Sequence, residues 1–263
     1  MLELYQFELS HYSEKVRLIL DYKQLEYRKI EVTPGVGQIE LLQKSGSRQV
    51  PVLKDGSTYV ADSTEIALYL ERKYPERPIL PSDALAKGLC LSIEELADES
   101  IGLKGRKALI GALNQNQSFR TAVLPKEVPD AIKTAVGAIP GQFLDILGMG
   151  IGFGGDAVKE AKKGLEQNLE AFCLILQERP YLTGDLPTLA DFAVAGLSIY
   201  IKFPEGSYLD IPEPLKGKGI PGIADNIMYE PFFAWRDRLY ADFRKGSSIS
   251  TANSSAPTSI SID

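Results

Sequence analysis

Ser10-His11-Tyr12-Ser13 stands between an apolar, strand-like opening (Leu2–Phe7) and a helical pattern (Glu14–Tyr22). A dithiol redox site at such a strand-to-helix junction would read Cys-x-x-Cys. Here both outer positions are serine. The stretch therefore lacks redox chemistry of its own and suits a site that holds another molecule's thiol. Ser13 reads as a first-turn or capping residue, which leaves Ser10 as the candidate of interest.

The pattern around this stretch alternates strand and helix. Val16, Ile19 and Leu20 lie at helical spacing and predict an amphipathic helix over Ser13–Tyr22. Tyr27–Val32 alternates apolar and polar residues, as a half-buried strand does, and 38–44 predicts a short helix. Val50-Pro51-Val52-Leu53 and Thr58-Tyr59-Val60-Ala61 flank Lys54-Asp55-Gly56-Ser57, which reads as a hairpin turn. Asp62-Ser63 then opens a helix with Ile66, Ala67 and Leu70 on its apolar face. The order is βαβ followed by ββα, that of a thioredoxin-like domain. Pro75, Pro78 and Pro81 mark a connector, and the signals beyond Ser82 are almost all helical. They predict helices over 89–103, 157–177 and 231–244, with Thr188-Leu-Ala-Asp191 as a capping box. The expected organisation is a thioredoxin-like α/β domain over residues 1–80, an all-helical domain over 82–246 and a Ser/Thr-rich disordered tail over 247–263.

Composition narrows the function classes. The chain has 263 residues and a formal net charge of −6, which argues against a general nucleic-acid surface. Cys90 and Cys173 are far apart and sit in apolar helical patterns, as small buried hydrophobes do; no metal site or disulfide framework is expected. No basic region precedes an apolar run at the N-terminus, so a cytoplasmic location is expected. Ala135–Gly155 carries a single charge, Asp145, among seven glycines. Its length would suit a membrane span, but the central charge and the glycines favour a buried or loop-forming insertion over peripheral membrane contact. Gly150-x-Gly152-x-x-Gly155 matches a dinucleotide fingerprint, yet no following parallel strand completes the βαβ unit, so it is rejected as such.

Three signals converge: Ser10 before a helix, Gln49-Val50-Pro51 at a strand start, and Asp62-Ser63 before another helix. In this order and spacing the chain resembles the cytosolic glutathione S-transferases of serine type, closely over residues 2–81. Beyond them the resemblance rests on Leu182-Thr-Gly-Asp-Leu-Pro-Thr-Leu-Ala-Asp191 and the Pro231…Trp235 helix. The length and glycine content of residues 104–156 depart from common members. The resemblance implies an enzyme with glutathione as co-substrate, a small hydrophobic electrophile or peroxide as second substrate, a detoxifying role and a homodimer. It implies that Ser10 donates to the glutathione sulfur and that Val50, before a cis Pro51, pairs its backbone with the cysteinyl part. Ser63 and the helix amides would bind the γ-glutamyl carboxylate, Asp62 would face the ammonium, and Gln49 could reach the glycyl carboxylate.

Other readings compete. Ser10 and Asp62 also fit as helix caps, Asp62 in a box with Glu65. Tyr5 and Tyr12 are rival hydroxyls for the sulfur. His11, the only histidine, has no acidic partner fixed nearby in sequence and reads as a pocket-lining or surface residue, with Tyr12 as a further pocket candidate. The same fold also serves non-catalytic ligand carriers or interaction modules. The segments Leu4–Phe7, Lys15–Arg17 and Leu20–Tyr22 look similar to the membrane-associated prostaglandin E synthase type 2 group. That group carries cysteine where this chain has Ser10.

Overall fold

The structure, a computed structural model, describes residues 1–33, 35–115 and 155–246. The expectations for the glycine-rich segment before Gly155, including its fingerprint-like motif, and for the 247–263 tail lie outside the described residues.

Strand β1 (Leu2–Gln6) leads into helix α1 (His11–Tyr22), then strand β2 (Tyr27–Glu31) and helix α2 (Val36–Ser45). Strands β3 (Val52–Asp55) and β4 (Thr58–Ala61) form a hairpin, and helix α3 (Ser63–Lys73) follows. The hairpin turn is shorter than the sequence suggests: only Gly56-Ser57 separate the strands, and Gly56 takes the left-handed φ of 60° that such a turn needs. The sheet order is β2-β1-β3-β4, with β1 parallel to β2 and β3 antiparallel to both neighbours. Alternate residues Leu2 and Leu4 of β1 enter the core beside Val16, Ile19 and Leu20 of α1 and Ile66, Ala67 and Leu70 of α3.

The register fixes the geography of the site. Tyr5 of β1 pairs with Val52 of β3, and Val52 pairs with Ala61 of β4. The end of β1, the start of β3 and the end of β4 therefore lie at one end of the sheet. The chain leaves that end into α1 and into α3, so two helix N-termini open there.

A helical part follows this thioredoxin-like domain. Helix α4 (Ala84–Leu96), a π-helical turn (Ala97–Gly102) and helix α5 (Leu103–Gln115) run on without a break in the chain. Among the described residues, helices α6 (Gly155–Glu178), α7 (Leu189–Leu197) and α8 (Glu230–Phe243) follow. Every residue of α7 is buried, and α7 packs against α1 and α4. Gly196 permits this approach: a Cβ there would lie 2.6 Å from the Lys15 backbone nitrogen.

Helix α1 is buried nearly all round, and its charges are paired accordingly. Glu14 accepts from Arg17 at 2.5 Å and from Arg244, just beyond α8, at 2.9 Å. Arg244 also binds Asp21 at 2.8 Å. Burial pushes the Glu14 carboxyl up, but the two guanidinium groups outweigh it and hold the group below its ordinary range. On another side of α1, buried Lys15 contacts Glu94, Asp98 at 3.0 Å and Thr64 Oγ1 at 3.1 Å. These bonds tie α1 to the start of α3 and to the α4 helix, clamping the sheet domain onto the helical part.

Candidate active site

Ser10 is the N-cap of α1, and its Oγ accepts from the Ser13 amide at 3.2 Å. The cap uses a lone pair of the hydroxyl. The hydroxyl hydrogen has no acceptor among the described residues, so capping and donation to an incoming sulfur are compatible. The residue is largely buried, beside the positive end of the helix, where a developing negative charge is favoured.

The Val50–Pro51 peptide is cis, and the pair immediately precedes β3. The Val50 amide and carbonyl make no hydrogen bond among the described residues, which leaves a short peptide edge unpaired. Gln49 is exposed, and its amide donates to Ser47 Oγ at 3.1 Å. Asp62 caps α3, accepting from the Thr64 amide at 2.8 Å and the Glu65 amide at 3.1 Å. The return bond from Glu65 that a full capping box would contain is absent among the described contacts. Asp62 has a φ of 75°, a conformation that non-glycine residues seldom adopt and that clusters at ligand clamps. Ser63 is buried beside it, its hydroxyl unbonded among the described residues.

Of the rival hydroxyls, that of Tyr12 is engaged elsewhere. Tyr5 lies within β1, its ring 6.2 Å from that of Tyr59. The Tyr12 hydroxyl donates to the Asp98 carbonyl in the π-helical turn at 3.3 Å. Burial, and then the negative charge of Asp98, push the Tyr12 phenol up to about 12.

His11 is enclosed, with 4% of its surface exposed, and both ring nitrogens lack a hydrogen-bond partner among the described residues. A buried unpaired polar group costs about 1–3 kcal/mol. Burial, reinforced by the Arg106 guanidinium, pushes the imidazole down to about 3. It is therefore neutral near pH 7 and cannot take up a proton as a general base there. Ser13 Oγ is also enclosed without a partner. Sequence reasoning did not single out the π-helical turn facing these residues, because only Gly102 marks it in the sequence.

The fold and this junction define a class: a thioredoxin-like domain joined to a helical one, with a hydroxyl in place of a redox cysteine. Residues 4–78 match the family model for the glutathione S-transferase N-terminal domain. Over this stretch the chain is similar to the glutathione S-transferases. A zeta-class glutathione S-transferase of Euphorbia esula is 37% identical over 103 residues, covering 38% of this chain and 46% of that protein. The chain thus spans about half the length of the curated relatives it matches. Solved structures share the fold over nearly the whole chain. The beta-etherase LigF from Sphingobium sp. strain SYK-6 has a TM-score of 0.67 at 22% identity, covering 91% of this chain and 95% of its own. A human theta-class enzyme, solved with the glutathione conjugate of 1-menaphthyl sulfate, has a TM-score of 0.59 at 20% identity, covering 92% and 81%. Among the described residues no helix is long and apolar enough to cross a membrane.

Proposed function

We propose that the protein is a glutathione transferase of serine type, with Ser10 donating its hydroxyl hydrogen to the glutathione sulfur. A thiol of pKa ~8.5 is mostly protonated near neutrality, and only its thiolate attacks. The hydroxyl and the N-terminus of α1 together favour that thiolate. The observation that carries the reading is the convergence of Ser10, the unpaired Val50 edge and the α3 N-terminus at one end of the sheet. Val50, ahead of Pro51, takes the cysteinyl part of glutathione. Ser63 and the α3 amides take the γ-glutamyl carboxylate, Asp62 faces the ammonium, and Gln49 reaches toward the glycyl carboxylate. The relatives named glutathione S-transferase and the solved glutathione-conjugate complex support glutathione as co-substrate.

The thiolate attacks a small electrophile, or reduces a peroxide, between a glutathione-binding domain of residues 1–80 and a helical domain of 82–246. His11 and Tyr12 line that second site. We place the enzyme in the cytoplasm, in a detoxifying role and as a homodimer. Leu85, Leu89 and Leu96 are exposed at spacings of four and seven along α4, an apolar stripe that suits a second copy.

Replacing Ser10 with Ala tests the reading. Turnover is expected to fall by about 10²-fold, as on losing a transition-state donor, with glutathione affinity largely kept. Undiminished turnover would refute the role of Ser10. Retention on a glutathione column without turnover in the wild type would instead identify a carrier.

A further inference from the structure

A groove of about 400 Å³ opens where the connector before α4 meets the loop that leads into α7. That volume is within the range of small-molecule sites, roughly 300–1,000 Å³. None of the residues placed at the glutathione site lines it. Leu80 and Pro81 line it from the connector, Leu186 and Pro187 from the loop. Leu186 is 74% exposed, so this apolar lining stays open to a ligand. Both sides are held in shape by bonds of their own. The Glu71 carboxylate accepts from the Ile79 amide at 3.1 Å and the Leu80 amide at 3.2 Å, and Lys23 holds Glu71 at 2.8 Å. The Leu189 amide donates to the Ile79 carbonyl at 2.7 Å, which ties the connector to the start of α7. On the loop side, Asp191 fixes the Leu182 and Thr188 amides. A groove with fixed walls needs little ordering when a ligand enters.

We propose that this groove is a separate ligand site, and that its ligand is a small organic cation: an ammonium group on an apolar body. The lining sets the sign of the charge. Both charged residues in it are acidic, Asp83 and Asp185. Neither has an ion-pair partner among the described residues. One Asp83 oxygen accepts from the Ala86 amide at 2.8 Å as the cap of α4, which leaves the other oxygen for a ligand. Asp185 is exposed and makes no bond among the described residues. Donors for an anion are scarce by comparison. The prolines of the lining carry no amide hydrogen. The Thr183 and Thr188 hydroxyls are already bonded to one another and to Asp191. An ammonium group at the two carboxylates places its apolar body against the leucines and prolines between them. The same ligand touches the connector and the helical part together, so binding favours their present arrangement.

The test titrates the full-length protein with 4-phenylbutylamine, 4-phenylbutanol and 4-phenylbutanoate, followed by ligand-observed NMR. The three probes share one apolar body and differ in charge. The amine is expected to bind about tenfold more tightly than the butanoate, with the alcohol between them. Asp83→Asn and Asp185→Asn should each weaken the amine about two- to fivefold and leave the alcohol unchanged. Asparagine also caps a helix, so Asp83→Asn should keep the melting temperature of the unliganded protein. Asp185 caps nothing, and its variant tests the site independently of α4. Saturating glutathione should leave the amine bound. Equal affinity for the three probes, no binding of the amine, an amine affinity unmoved in both variants, or displacement of the amine by glutathione overturns the proposal. None of these results bears on Ser10, whose role is read from turnover.

Discussion

Two helix N-termini, those of α1 and α7, begin with the same type of residue and are finished differently. At α7 the Asp191 carboxylate receives the Leu182 amide, the Thr188 amide and the Thr188 hydroxyl, each at 2.8 Å. The Thr183 and Thr188 hydroxyls close the remaining gap at 2.9 Å. At α1 the Ser10 hydroxyl accepts one amide and donates to nothing among the described residues, while His11 and Ser13 carry enclosed, unbonded polar atoms. A cap that only holds the fold satisfies its own groups. One that leaves several groups unsatisfied inside a packed interface bears a stability cost that a bound molecule can offset.

Breaking the closed cap should cost stability and little else. Asp191→Ala leaves two buried amides and a hydroxyl without their acceptor, and should destabilise the protein by about 2–4 kcal/mol. Chemical denaturation measures this; turnover per folded molecule should be unaltered. A large change in turnover with stability intact would erase the distinction between the two caps. Gly196→Ala attacks the contact between α1 and α7, since its Cβ would meet the Lys15 backbone. An expected loss of about 1–3 kcal/mol is read from the same denaturation curves. Thr188→Ala removes one capping hydroxyl and should cost about 1 kcal/mol.

The smallest effect concerns pH. Burial pushes the Asp191 carboxyl up to about 6, even though its backbone partners favour the charged form. The folded state therefore holds this proton more tightly than the unfolded chain does. The Asp191 contribution is fullest below the ordinary carboxylate range, near pH 4, and declines as pH rises toward 6. The difference in stability between wild type and Asp191→Asn, followed over that interval, should shift against the wild type with rising pH. A shift in the opposite direction would mean that the three donors outweigh burial.

Local patterns made much of this legible in the sequence. The alternation in β1, the spacing of Val16, Ile19 and Leu20, and the Thr188…Asp191 box all act within a few residues, and each element forms where those signals lie. The two-residue hairpin turn and the start of α4 at Ala84 under the Asp83 cap shift the expected boundaries by several residues. The π-helical turn was hidden because Leu89–Leu103 keeps an apolar rhythm straight through it. The pairing of Arg244 with Glu14 and Asp21 joins residues more than two hundred positions apart, which no local pattern encodes. At the candidate site the residue types were readable, but the unpaired Val50 backbone and the enclosure of His11 emerge only once the sheet and helices are assembled.

Central to the proposed chemistry is that Ser10 lowers the pKa of a borrowed thiol, and the ultraviolet absorbance of the thiolate measures that directly. Glutathione bound to the wild type should ionise well below the ~8.5 of a free thiol. In Ser10→Ala the ionisation should move back up by at least about one unit, the loss of one hydrogen bond to a charged group. Bound glutathione that ionises at the same pH in both proteins would contradict the central claim.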